Sequence, residues 1–345
     1  MQNITKIEKR TLIGMDLTEI QAVISDTCSE KYRAEQIFHW VYNQNVQSID
    51  EMKNLPKQVI VHLEENFVLN PLKIVKITGD EYSKTRKFLL ECQDGKKIES
   101  VLMREQKRVT VCLSSQIGCA LGCEFCATGT MGIIRNLTDG EIVAQYLLLL
   151  RETEKPITNV VFMGMGEPFL NYENVIKSAD LLNNPAGINL GARHITISTA
   201  GIIPGIERFT KEGKRYKLAI SLNGPSQEQR VNTMPIAKKY PLKELIDSVR
   251  GYYNETRNYV TFEYVLLSGI NDSITDAELI KKLIGDLPCK LNVIPYNEIG
   301  GKFKRPDDGK IYEFLNVFVD APFTVTTRWS KGGDINAGCG QLVVK

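Results

Sequence analysis

Histidine is scarce in this 345-residue chain, which has only three, and net charge is nearly absent: 43 Lys plus Arg stand against 41 Asp plus Glu. His39 and His194 fall in separate predicted elements and His62 in a predicted helix, so histidines do not combine into a metal site. The balanced charge excludes a uniformly basic nucleic-acid binder, and any nucleic-acid face has to be a local patch. Long apolar runs are missing too. The longest, near Leu147 to Leu150, falls far short of the ~20 residues that cross a bilayer. Met1-Gln2-Asn3-Ile4-Thr5 lacks the apolar core of a signal peptide. These absences predict a cytoplasmic protein with no membrane partner. Internal repeats and low-complexity tracts are absent as well. What is there, a 43% hydrophobic content in a chain of this length, suffices for one large α/β domain plus a small accessory domain without disulfide staples.

Residues 1–75 read as a small helical accessory domain; in it, Lys31 to Tyr42 places Phe38, Val41 and Tyr42 at helical spacing. Residues 76–105 read as a β-hairpin linker, because Lys87 to Cys92 and Lys97 to Leu102 flank an Asp94-Gly95 turn. From 106 to 345, β-rich runs alternate with helical patterns: Val109 to Leu113, Asn159 to Met163, His194 to Ser198, Lys217 to Leu222, Val260 to Leu267 and Leu291 to Pro295. Such alternation predicts parallel strands with crossover helices, and six units predict an open, partial (βα)6 barrel. Thr138-x-x-Glu141 and Thr275-x-x-Glu278 predict capping boxes, and Leu242, Leu245, Ile246 and Val249 an apolar helix face.

Eight cysteines without an export signal point to ligands, nucleophiles or packing rather than a disulfide framework. Three of them, in Cys119-Ala-Leu-Gly-Cys123-Glu-Phe-Cys126, lie directly after the first predicted barrel strand. Three thiolates with no nearby fourth suit a four-iron, four-sulfur cluster with one iron left open. Structural zinc, which would take its fourth ligand from a distance, and plain buried thiols are the alternatives. Downstream, Gly164-Met165-Gly166-Glu167-Pro168 suits a turn whose backbone approaches an amino-acid moiety. Cys112, on a predicted strand, suits a packed small hydrophobe. Cys339, flanked by Gly338 and Gly340, reads as accessible on a mobile loop. Cys28, Cys92 and Cys289 read as packing or surface residues.

The C-x-x-x-C-x-x-C spacing resembles the signature of radical S-adenosylmethionine (SAM) enzymes. Residues from about 87 to 342 resemble the RlmN/Cfr family of ribosomal RNA adenine methyltransferases, and the helical segment before them fits that family's N-terminal domain, which implies that residues 1–75 bind RNA. The resemblance rests on Ser114-Ser115-Gln116-Ile117-Gly118-Cys119, Cys126-Ala127-Thr128-Gly129, Arg135-Asn136-Leu137-Thr138, Met163-Gly164-Met165-Gly166-Glu167-Pro168 and Cys339-Gly340-Gln341-Leu342. It implies a radical SAM partial barrel with a C-terminal methyl-carrying loop, and a four-iron, four-sulfur cluster on Cys119, Cys123 and Cys126. SAM contacts are implied for Gly166, Glu167, Ser198, Ser221, Leu222, Asn223 and Asn297, all at or just after C-terminal ends of predicted strands.

Adenine C2 is electron-poor and cannot attack the methyl group of SAM, which is why radical chemistry is needed. The resemblance implies two SAM molecules per turnover. Cys339 takes a methyl from one; the second is cleaved reductively, hydrogen leaves the Cys339 methyl, and the carbon adds to adenine. Cys112 would then free the base by attacking the Cys339 sulfur, leaving a disulfide bond for an external electron donor to reduce. Glu99 matches the family's proton acceptor. The implied substrate is 23S ribosomal RNA at C2 of adenine 2503, with a transfer RNA adenine as a second one, and the chain is expected to act as a monomer. Asn223 stands where many relatives have histidine and Gly338 where alanine is common; neither removes a group the chemistry requires. Cys126-Ala-Thr-Gly-Thr-Met-Gly, Arg135 to Thr138 and Pro168 look closer to the C2-methylating branch, with the C8-methylating branch as the alternative. Two other readings compete. A radical SAM activase would not need paired Cys112 and Cys339, and a zinc-dependent RNA-binding module would use Lys302-Phe303-Lys304-Arg305 and Lys238-Lys239.

Overall fold

Ten strands form one sheet whose spatial order follows the chain: β1 (Leu72–Thr78), β2 (Thr85–Cys92), β3 (Lys97–Arg104), β4 (Val109–Cys112), β5 (Asn159–Phe162), β6 (Ile195–Thr199), β7 (Lys217–Ser221), β8 (Val260–Leu266), β9 (Cys289–Pro295) and β10 (Thr324–Thr327). The computed structural model describes residues 9–329 and 332–344, so the polar start Met1 to Thr5 lies outside the described residues. Strands β1 to β4 are antiparallel, and β4 to β10 are parallel. The six expected parallel strands are present, and Thr324-Val-Thr-Thr adds a seventh. The hairpin is β2–β3, turning at Gly95 with φ +77°. It does not stand apart as a linker, because Val101 to Arg104 pair with β4 and extend the barrel sheet.

Parallel strands covered on both faces normally read as continuous apolar runs. Here β7 to β9 alternate instead. Leu218, Ile220, Phe262, Tyr264, Leu291 and Val293 are fully buried, while Ser221, Glu263 and Asn292 stand side by side in register on the other face. That other face is the barrel lumen, so the lumen is polar.

Outside the sheet lie α4 (Asp139–Leu150), α5 (Tyr172–Asn183), α6 (Ile203–Lys211), α7 (Leu242–Thr256), α8 (Ile274–Ile284) and α9 (Asp308–Asn316), preceded in the accessory domain by α1 (Leu17–Ile24), α2 (Tyr32–Tyr42) and α3 (Lys57–Asn66). Thr138 and Glu141 form the expected reciprocal cap on α4. On α8 the box is Ser273 with Asp276, not Thr275 with Glu278. Ser273 has the extended backbone of a cap, and its hydroxyl accepts the Asp276 N–H. Among the described residues no helix is long and apolar enough to cross a membrane.

Residues 328–329 and 332–343 lie between β10 and the hairpin. Arg328 N donates to Val293 O at 2.8 Å, Lys87 Nζ donates to Asn336 O at 3.1 Å, and Val343 N donates to Glu99 Oε2 at 2.9 Å. The C-terminal segment thus runs from the last strand to β2 and β3.

Candidate active site

The segment after β4 is held against the turn after β5 by its own side chains. Ser114 Oγ accepts from Met165 N at 2.9 Å and donates to Glu99 O at 2.6 Å, and Gln116 Oε1 accepts from Glu167 N at 2.8 Å. Gly166 sits at φ +100°, and a Cβ there would lie 2.5 Å from Gln116 Cβ, so this close approach needs glycine. Arg135 makes a two-pronged bond to Glu141 and a third to Asp94, fixing the strand that returns from the cysteine loop.

These supports build one cavity at the C-terminal strand ends. It is lined by Cys119, Cys123 and Cys126, by Gly166, Glu167, Ser198, Ser221 and Asn223, and by Cys339. Two of the expected SAM contacts adjoin the lining without forming part of it. Leu222 is fully buried, its N–H bonded to Glu263 O, and the Asn297 amide donates to Cys339 O at 3.1 Å. The Glu167 carboxylate accepts from Phe169 N and Ala200 N, and burial pushes its pKa up to about 7.

The donor set fits an iron-sulfur cluster better than one ion. Among the described residues no three His, Cys, Asp or Glu side chains gather tightly enough for a single metal, yet the three thiols share a cavity. A cluster spreads its thiolates over separate irons and tolerates that spacing. Arg230 adds a second sign. It is 1% exposed, its Nε and Nη1 lack partners, and it lies within electrostatic reach of Cys123. A buried, half-satisfied cation calls for negative charge beside it, which cluster-bound thiolates bring.

Cys339 does not lie on a free loop. Ala127 N donates to Gly340 O at 2.7 Å and Thr128 Oγ1 to Leu342 O at 2.6 Å, so the loop is stitched to the turn beginning at Cys126. Its flanking glycines serve close packing instead of mobility. A Cβ on Gly338 would lie 2.7 Å from Asn297 Nδ2, which accounts for glycine beside this Asn297–Cys339 bond. Glu99 is buried and does not reach the cavity lining; its carboxylate pairs with Lys87 Nζ at 2.9 Å and holds Val343 N.

Cys112 is buried on β4, and both it and Cys339 are free thiols. Burial pushes Cys112 up to about 12, a nearby Cys339 charge adds to the shift, and Arg328 opposes it.

A model of the radical SAM superfamily matches residues 113–280, and a model of the ribosomal RNA large subunit methyltransferase N-terminal domain matches residues 10–69. The chain is 43% identical over 97% of its length to a protein named probable dual-specificity RNA methyltransferase RlmN from Thermotoga sp. strain RQ2, covering 98% of that protein. It is 42% identical to the protein of the same name from Clostridium novyi, over 96% of this chain and 97% of that one. The chain belongs to the RlmN family. Its fold agrees: the crystal structure of a radical SAM methyltransferase from Sphaerobacter thermophilus superposes with a TM-score of 0.93 at 42% identity, over 96% of this chain and 99% of that one. As a radical SAM RNA methyltransferase, this RlmN-family enzyme uses a four-iron, four-sulfur cluster and SAM.

Three residues of the site have no local sequence signal. Glu263, on β8, lines the cavity and accepts from Asn292 Nδ2 at 2.8 Å. Lys87, on the hairpin, grips the C-terminal loop. Arg328 sits at the barrel closure, where negative charge on Cys339, Glu263 and Cys112 holds its guanidinium above the ordinary range against the cost of burial. Strand register alone would have pointed to Glu263, as the partner of Ser221.

Proposed function

We propose that this enzyme methylates C2 of adenine 2503 in 23S ribosomal RNA and a transfer RNA adenine as a second substrate. It would act as a cytoplasmic monomer supplied by an external electron donor. The observation that carries the reading is the pair of free thiols, Cys112 and Cys339, within electrostatic reach of each other beside the cavity of the three cluster cysteines. A radical SAM activase needs no such pair.

Cys119, Cys123 and Cys126 would hold the cluster, which supplies the electron for reductive SAM cleavage. Gly166, Glu167, Ser198, Ser221 and Asn223 line the space SAM would occupy. Cys339 is the methyl acceptor, presented at that cavity by the Asn297 and Ala127 hydrogen bonds. Once its carbon is joined to the base, the Cys112 thiolate attacks the Cys339 sulfur. An S–S bond forms as the S–C bond breaks, the electron pair passes to the adenine-bound carbon, and a proton completes the methyl group. Glu99, the carboxylate that the resemblance offers as proton acceptor, is paired with Lys87 and bonded to Val343 N away from the cavity lining, so in this scheme it acts by positioning the C-terminal loop. The external donor then returns two electrons to the disulfide.

The test is the pair of single variants. Cys339→Ala is expected to lose both methylcysteine and RNA methylation. Cys112→Ala is expected to load the methyl, react with RNA and stall as a protein–RNA adduct that survives denaturation. Normal turnover without adduct in Cys112→Ala overturns the scheme. Mass spectrometry placing the methyl at C8 would reassign the branch.

A further inference from the structure

Three faces of the barrel are already used. The cysteine loop covers the C-terminal strand ends, helices cover the outside, and residues 332–343 lie along the lateral gap. The N-terminal mouth remains, and it differs from the rest of the surface. Arg108 and Arg193 stand one and two residues before β4 and β6, and Lys217 and Lys290 are the first and second residues of β7 and β9, all four exposed. None of them forms an ion pair among the described residues. The obvious basic run behaves otherwise: Lys302, Lys304 and Arg305 are paired with Glu124, Glu298 and Asp308.

The mouth leads inward. Lys290 is the register partner of Thr261 and Thr324, and the next inward row holds Glu263, Asn292 and Thr326, linked by hydrogen bonds of 2.8 and 3.1 Å. Above that row stands Arg328, beside the two thiols. A water-excluding core has no use for such a column. At its other side, Arg108 borders a groove of 1120 Å³ that contains Lys84, Lys107 and Trp329, the last 40% exposed. Unneutralised cations grip phosphates, and an exposed indole offers a face on which a base stacks. Partial burial first, and then the neighbouring Lys290, Arg108 and Arg193, hold the Lys217 ammonium below the ordinary range; an anion relieves the repulsion among the four.

We propose that substrate RNA docks on the N-terminal mouth of the barrel, its phosphates on Arg108, Arg193, Lys217 and Lys290, and that the target base enters the polar lumen from that side. The inference rests on the RNA methylation proposed above. A base extruded from its stack needs a phosphate grip around its point of entry, and the four cations supply one at the rim of the polar column.

Full-length Arg193→Glu/Lys217→Glu and Lys217→Glu/Lys290→Glu would be compared with Lys243→Glu/Lys282→Glu, the same charge change on outer helices α7 and α8. The probe is a fluorescent 23S ribosomal RNA hairpin carrying the target adenine. The mouth variants are expected to weaken Kd by about tenfold or more and to lower the slope of log K against log salt by roughly one per cation lost, with the outer-helix variant matching the wild type. Methyl loading of Cys339, read by mass spectrometry, reports that the mouth variants are folded. Equal Kd and slope in all variants, or equal loss in the outer-helix variant, overturns the mouth as the docking site. A wild-type enzyme that binds this hairpin but leaves its adenine unmethylated fails the functional reading instead, and leaves the binding comparison to decide the mouth.

Discussion

Arg328 bears directly on how Cys112 reaches its reactive form. A thiol must ionise to attack sulfur, and burial in β4 disfavours the anion, pushing Cys112 up to about 12. The nearby guanidinium is the opposing influence. Removing it in Arg328→Met raises the Cys112 thiol further, so at neutral pH a smaller fraction is thiolate. Release of the RNA adduct is therefore expected to slow and to recover as pH rises. Quenched-flow measurement of adduct decay between about pH 7 and 9 checks this; a profile that matches the wild type removes Arg328 from the resolving step. The convergence of Cys119, Cys123 and Cys126 on one cavity could be read from the chain because they fall within eight residues of one loop. Arg328 could not, since its meaning comes from Cys112 and Cys339, which only the closed barrel brings to it.

At the scale of elements, the hairpin strands and the C-terminal loop act as one unit. Lys87 on β2 and Glu99 on β3 pair at 2.9 Å, and each also holds the loop, through Asn336 O and Val343 N. Both side chains are largely buried, so removing one leaves the other charge uncompensated, at a cost of about 3 kcal/mol. Lys87→Met is expected to lose stability on that order and to speed amide exchange across residues 336–343 while β4 to β9 stay protected. It should also lower the rate of Cys339 methylation more than it lowers SAM binding. Exchange in the loop equal to wild type would show that the pair does not restrain it. The strands and the first capping box were legible because periodicity and caps are local. β10 was not, because Thr324-Val-Thr-Thr is four residues long and its pairing with β9 is a long-range choice. The hairpin was seen, but its union with β4 depends on the register of Val101 and Cys112.

The whole molecule joins its accessory domain to the barrel by packing and by charge, with no flexible tether between them. Gly187 of the barrel packs on Phe38 and Tyr42 of α2, so closely that a Cβ there would lie 2.9 Å from Phe38 Cε1. Arg151 Nη2 donates to Asn45 O, Asn45 Oδ1 and Val46 O at 2.7–2.8 Å, and Lys177 bridges Glu19 of α1 and Asp139 of α4 at 2.6 Å each. Deleting residues 1–75 would take Phe38 and Tyr42 away from Gly187, Asn45 away from Leu147 O and the first residues away from β1, so aggregation would obscure any RNA-binding role. Removing the polar links is the cleaner test. Arg151 gives up three bonds to partly buried acceptors, and Lys177 a half-exposed pair of contacts whose value solvent screening reduces. The double variant Arg151→Ala/Lys177→Met is thus expected to cost about 3 kcal/mol, most of it at the domain boundary. Calorimetry should then resolve the single unfolding transition into two, the lower belonging to residues 10–69. RNA affinity should fall with it, because phosphates held by the accessory domain and by the barrel mouth would no longer keep a fixed separation. A single transition at an unchanged temperature would mean that apolar packing around Phe38, Tyr42 and Gly187 alone holds the two parts together.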